Sequence, residues 1–183
     1  MKNFIPVDLG DPDLSNKIAK YVAENPRLSG HVGSSDSVLI ESLDCYESCK
    51  SLVDAVNQIC SWQDVSYIIL FNFNPGVEII HRDDMNHEYF WVLNIPVLNC
   101  KDTHTSVYEL LPGEQEYTKH ETYGYTSWQS NQIKEIDRLH LTQPMIFDMS
   151  TVHCVHNPTS QPRLSLSIRT NCDLLEKYNL MQK

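Results

Sequence analysis

From residue 65 to residue 170 the chain is a succession of short runs rich in β-branched and aromatic residues, separated by turn signals such as Asn74-Pro75-Gly76. Helices do not alternate with these runs as in βα units, and this constrains the fold more than any other feature. Strands are predicted at 66–73, 77–83, 88–97, 106–110, 145–150, 152–156 and 163–170. Many short strands without alternating βα units pack as an antiparallel sandwich or jelly roll.

The first sixty residues read as helical. Asp11 caps a helix that starts at Pro12, places Leu14, Ile18, Tyr21 and Val22 on one face and stops at Pro26. A second helix over 44–62 repeats Cys45, Cys49, Leu52, Val53, Val56, Ile59 and Cys60 at helical spacing. With 183 residues and 41% hydrophobic content, one domain is expected. Its parts are a helical brace at 1–64, a mainly β core at 65–170, and a C-terminal tail or short helix at 171–183. The polar stretch 112–144, with Tyr117, Tyr123, Tyr125 and Trp128, is predicted to be a long connection that serves as a substrate lid, or to hold a short surface helix at 133–139.

Fourteen basic residues against 24 acidic ones give a formal charge of −10, which repels phosphate backbones and anionic lipid surfaces. Nucleic-acid and membrane roles are disfavoured. The amino terminus has no apolar run of signal-peptide length, so the protein is expected to be soluble and cytoplasmic. Six cysteines without a Cys-x-x-Cys pair read as reduced thiols.

Two sets of residues carry chemistry. Within the predicted strand 77–83, His81 and Asp83 are two apart and share a face, offering an imidazole and a carboxylate to one metal ion, whereas Asp84 points away. An H-x-D is expected by chance about half a time in a chain of this composition, so alone it is weak. Seventy residues on, His153 is followed ten positions later by Arg163 and then by Ser165. Chance supplies that spacing roughly 0.02 times per chain. On the last predicted strand Arg163, Ser165, Ser167 and Arg169 alternate with Leu164, Leu166 and Ile168, so the polar face lines either a cavity or solvent.

The combination of H-x-D, a distal His and an R-x-S ten residues beyond it resembles the Fe(II)- and 2-oxoglutarate-dependent dioxygenases. The likeness covers residues 68–170 and includes the Pro-Gly turn before the metal strand and the H-x-V-x-N at His153 to Asn157. It implies a double-stranded β-helix, a cupin-like jelly-roll variant, and a metal site of His81, Asp83 and His153. It further implies that Arg163 and Ser165 grip the far carboxylate of 2-oxoglutarate, with Arg169 as the fallback, and that O2 is the second cosubstrate. Two imidazoles and one carboxylate leave three positions on an octahedral Fe(II) open. Asn72 and Trp91, on strands flanking the site, are candidate cosubstrate contacts, with structural roles as the competing reading. His156 is the rival to His153, at a spacing to Arg163 that fits the pattern poorly.

The resemblance implies a hydroxylase of a small molecule, an amino-acid side chain or a peptide, and Asp83 favours hydroxylation over halogenation. One alternative is a cupin-type metalloprotein that does not use 2-oxoglutarate, faintly echoed by Gly76, His81 and Glu88. The other is a non-catalytic jelly-roll binding module.

Overall fold

A computed structural model describes residues 3–29, 37–40, 49–83, 90–114, 116–120 and 124–181. Two antiparallel sheets face each other. The first is six-stranded, in the order β1 (Phe4–Pro6), β11 (Met145–Asp148), β6 (Trp91–Leu98), β13 (Arg163–Thr170), β3 (Val65–Phe73) and β2 (Ser37–Ile40). The second follows the order β10 (Ile133–Leu139), β7 (His104–Leu110), β12 (Val152–Asn157), β5 (His81–Asp83), β9 (Tyr125–Trp128) and β8 (Tyr117–His120), with β4 (Gly76–Val77) also paired to β12. This is the jelly-roll architecture that the strand pattern predicts.

Among the described residues the α-helices are α1 (Leu14–Glu24), α2 (Pro26–Ser29), α3 (Lys50–Val56) and α4 (Leu174–Met181). Leu14, Ile18 and Val22 of α1 and Leu52, Ala55 and Val56 of α3 join Ile68, Leu70, Leu93, Ile95, Leu164, Leu166 and Ile168 in one core on the outer face of the six-stranded sheet. On α1 the buried residues are Leu14, Ile18 and Val22, three of the four placed on one face by helical spacing. A second, smaller core lies between the sheets, where Val92, Met145 and Phe147 meet Val107, Leu139 and Leu141. No helix among the described residues is long and apolar enough to cross a membrane. The described cysteines, Cys49, Cys60, Cys100, Cys154 and Cys172, are free thiols.

Several sequence expectations are corrected. α1 does end before Pro26, at Glu24, but Pro26 then opens α2, because a proline is favoured at the first position of a helix, where its missing N–H costs nothing. The first sixty residues also supply β1 and β2, which extend the six-stranded sheet at both ends. The second helix is confined to Lys50–Val56 among the described residues, and the start expected at 44 lies outside them. The strand expected at 77–83 is split into β4 and β5.

The stretch 112–144 is not a bare connection: it holds β8, β9 and β10. Residues 133–139 form a strand where a helix was the other expectation. The register of β10 against β7 shifts between Glu135 and Asp137. The apolar Ile133, Ile136 and Leu139 are three apart in the sequence, a spacing that imitates a helix, and the bulge accommodates it by leaving Ile136 unpaired and exposed.

Candidate functional site

Each sheet contributes one wall of a cavity of about 340 Å³, within the ~300–1,000 Å³ range of small-molecule pockets. His81 and Asp83 are brought to it by β5, and His153 by β12, where His81 and His153 are directly paired. β4, which precedes β5, opens on Gly76, whose φ of +134° is a conformation that a side chain would strain. Opposite, β13 turns Arg163, Ser165, Ser167 and Arg169 inward, while Leu164, Leu166 and Ile168 enter the helix-side core. Strand alternation thus fixes both halves of the site, and the polar face of β13 lines the cavity rather than meeting solvent.

Ligand atoms of His81, Asp83 and His153 all lie within 4.8 Å of one another. Three ligands at ~2.1 Å on one face of an octahedral ion are ~3.0 Å apart, so a bound ion would draw these side chains closer together than they stand here. Nδ1 of His81 lies 2.8 Å from the Ile79 carbonyl, and Nδ1 of His153 lies 2.9 Å from that of Thr151. A carbonyl only accepts, so both rings carry a proton on Nδ1, which makes Nε2 the atom that each would offer to an ion. Nε2 of His81 is 3.5 Å from Oδ1 of Asp83. The other oxygen, Oδ2, accepts a hydrogen bond from Nη2 of Arg169 at 3.2 Å.

Electrostatics follow from this packing. Burial, and then the neighbouring His81, press the pKa of His153 down to about 4. Burial acts the same way on His81, but the adjacent Asp83, with the Ile79 carbonyl and Glu78, outweighs it and raises its pKa. For Asp83 burial is opposed by His81, His153 and Arg169, which hold it at about 2. The carboxylate is therefore ionised at neutral pH and His153 is neutral, as ligation requires.

Arg163 is 3% exposed and its guanidinium lies 5.4 Å from the centre of the Phe73 ring. Its Nε and Nη1 have no hydrogen-bond partner among the described residues. Burial lowers its pKa, and Cys100 beside it acts in the opposite sense. The loop entering β13 is held by Asn157, whose Nδ2 donates to the carbonyls of Phe73 and Gln161, and by Asn99, which donates to the Pro162 carbonyl. A guanidinium kept dry in this way, with donors open, is poised for an anion.

Asn72 and Trp91 are not part of the cavity lining. Asn72 pairs with Leu164 and therefore shares its helix-side face, while its neighbours Phe71 and Phe73 line the cavity. Trp91 packs on the helix-side core, and Asn94 of the same strand faces inward. Both expectations fail for one reason: choosing between the faces of a strand buried on both sides requires its partner. His156 lies on the outer face with His104, and Asp84, His87 and Glu88 lie outside the described residues.

Other lining residues were not anticipated. Tyr125, paired with Asp83, sits edge-on to His81 with ring centres 5.3 Å apart. Thr105 and Leu139 of one sheet, Phe147 of the other, and Leu141 and Met149 next to them also line the cavity. Their contribution depends on pairing between distant strands, which no local spacing reveals.

No protein-family model and no curated protein matches the sequence. Among solved structures, a prolyl hydroxylase from Trichoplax adhaerens in complex with a hypoxia inducible factor peptide fragment is 14% identical. The match covers 97% of this chain and 86% of that one at a TM-score of 0.52. The epimerase SnoN, in complex with Fe3+, alpha ketoglutarate and nogalamycin RO, is 13% identical over 91% of this chain and 77% of that one, with a TM-score of 0.51. The chain also matches about a quarter of a pumpkin seed globulin, at 10% identity over 57% of this chain, a coverage of 24% and a TM-score of 0.32. At 13–14% identity the first two likenesses establish the fold, and that fold is a double-stranded β-helix of the jelly-roll class.

Proposed function

We propose that the protein is an Fe(II)- and 2-oxoglutarate-dependent oxygenase that hydroxylates an unactivated C–H bond of a small molecule or an amino-acid side chain. The observation that carries this reading is the meeting, in one cavity, of His81, Asp83 and His153 with the buried and open-handed Arg163. His81 and His153 would hold the ion through Nε2, and Asp83 would hold it through Oδ1. Arg163, with the Ser165 hydroxyl, would receive the far carboxylate of 2-oxoglutarate. Bound there, iron and 2-oxoglutarate supply the oxidising power: R–H, O2 and 2-oxoglutarate become R–OH, succinate and CO2.

The protein's own groups then have three tasks. The backbone carbonyls of Ile79 and Thr151 fix the tautomers and orientations of the two imidazoles. Arg169 occupies Oδ2 of Asp83 and leaves Oδ1 for the ion. The apolar wall of Phe71, Phe147 and Met149 limits water around the reacting carbon.

The test is anaerobic addition of Fe(II) and then 2-oxoglutarate, with the visible metal-to-ligand charge-transfer band as readout. Wild-type protein should develop the band, and His153→Ala should abolish it. Succinate release in air then reports turnover. A protein that takes up metal with no response to 2-oxoglutarate is the cupin-type alternative, and one that takes up no metal is the binding module; either result sinks the proposal.

A further inference from the structure

The proposed chemistry uses Arg163 but leaves a second buried arginine in the same cavity with charge to spare. Arg169 is 7% exposed, lines the cavity, and directs Nη2 to Asp83 while its Nε has no partner among the described residues. Next along the strand, Ser167 is 1% exposed with an unpartnered hydroxyl, and its cross-strand neighbour is Asn94, which also lines the cavity. These three donor-bearing residues form a polar patch separate from Arg163 and Ser165, which lie nearer the start of β13.

Charge counting gives the patch a purpose. Arg163, Arg169 and Asp83 sum to +1, a divalent ion raises the total to +3, and the 2-oxoglutarate dianion returns it to +1. Among the described residues, the other charged or titratable groups nearby do not close the gap. Glu78 is partly exposed and outside the lining, and Tyr67, paired with Arg169 on β3, is a neutral phenol. A buried, unbalanced positive charge is costly, and the least costly remedy is a further anion.

We propose that the substrate is a small monocarboxylic acid whose carboxylate is received by Arg169, Ser167 and Asn94, and whose hydrocarbon body lies against Phe71, Phe147 and Met149. This rests on the oxygenase reading above. The apolar wall accounts for the body, and the spare charge accounts for the head. A carboxylate held by a guanidinium and a hydroxyl is fixed in direction, so the same carbon is presented to the metal ligands at each turnover.

The experiment starts from the anaerobic complex with Fe(II) and 2-oxoglutarate, whose charge-transfer band is recorded before any probe is added. Butanoate, hexanoate and 3-phenylpropanoate are then titrated against their primary amides, following the shift of the band and the melting temperature. At least one acid should bind tenfold or more tightly than its amide. Arg169→Gln should erase that preference, and Arg169→Lys should keep part of it. A complete absence of the band sinks the oxygenase reading and this inference with it. A normal band with amides binding as tightly as acids, or with no acid binding, overturns the inference alone. So does an Arg169→Gln protein that weakens 2-oxoglutarate while retaining the acid preference, because the arginine then serves the cosubstrate.

Discussion

His153 and His156 are three residues apart on β12 and project from opposite faces of one sheet, into two clusters of histidines. Inside, His153 meets His81 and Asp83, with the two imidazole centres 4.5 Å apart and their planes inclined by 52°. Outside, His156 stacks on His104 at 4.6 Å with planes only 9° apart, and His140 lies 5.7 Å from His104. An ion bound by an imidazole lies in the plane of the ring, so two parallel stacked rings do not share one. The outer Nε2 of His156 is engaged with the Tyr108 hydroxyl at 3.1 Å, whereas the inner rings turn only Nδ1 to the backbone. Ring orientation and a neighbouring carboxylate, and not the number of histidines, separate a metal centre from a polar surface.

The sharpest way to break this contrast is to remove one histidine from each face. His153→Ala should weaken Fe(II) binding by about 100-fold or more, and His156→Ala should change it by less than about twofold, as read by anaerobic calorimetric titration. Comparable losses from both substitutions would mean that the outer cluster takes part in holding the ion.

Next in size is the loss of a dry counter-charge. Arg163→Met should weaken 2-oxoglutarate binding by roughly 30- to 5,000-fold, the usual range when one partner of a buried charged pair is truncated. Fe(II) affinity should stay within about threefold, because Arg163 touches none of the three ligands. Titration of the charge-transfer band with 2-oxoglutarate separates the two effects. A large change in metal affinity would show that the two ends of the cavity are not independent.

The same contrast explains what was legible in the sequence. His81 and Asp83 are readable because alternation on a strand is local, and His153, Arg163 and Ser165 because of their spacing and the family it resembles; all five line the cavity. Asn72 was misplaced because Phe71, Asn72 and Phe73 are enclosed on both faces, where polarity does not say which face is which. The Arg169 to Asp83 bond joins residues 86 apart, and the bulge in β10 disguised a strand as a helix. Pairing partners decide all of these, and a single strand's pattern does not contain its partner's identity.

Trp91 tests that account directly. It packs half-buried against the helix-side core, so Trp91→Ala should cost about 2 kcal/mol in urea denaturation, below the ~3–5 kcal/mol typical of a fully buried aromatic. Its effect on 2-oxoglutarate affinity should stay within about twofold. A selective loss of affinity with unchanged stability would return Trp91 to the cosubstrate site.

The smallest expected effect belongs to the outer stack. Burial lowers the pKa of His104, assisted by His156, Arg138 and His140 and opposed by Glu135; His156 is lowered by burial and Arg138, with Glu135 again opposing. A lowered folded-state pKa means that the unfolded chain takes up protons first, near pH 6.5. The stability contributed by the neutral rings is therefore present above pH 6.5 and is lost as the pH falls through 6.5 toward the folded values. His104→Gln removes one of these protons and relieves the other, so its melting temperature should fall less between pH 7 and pH 5 than that of the wild type, by about one or two degrees. Both rings are partly solvated, which keeps the effect small. An identical slope in the two proteins would mean that the stacked rings titrate as independent surface groups, and the outer cluster would then lack even this electrostatic coupling.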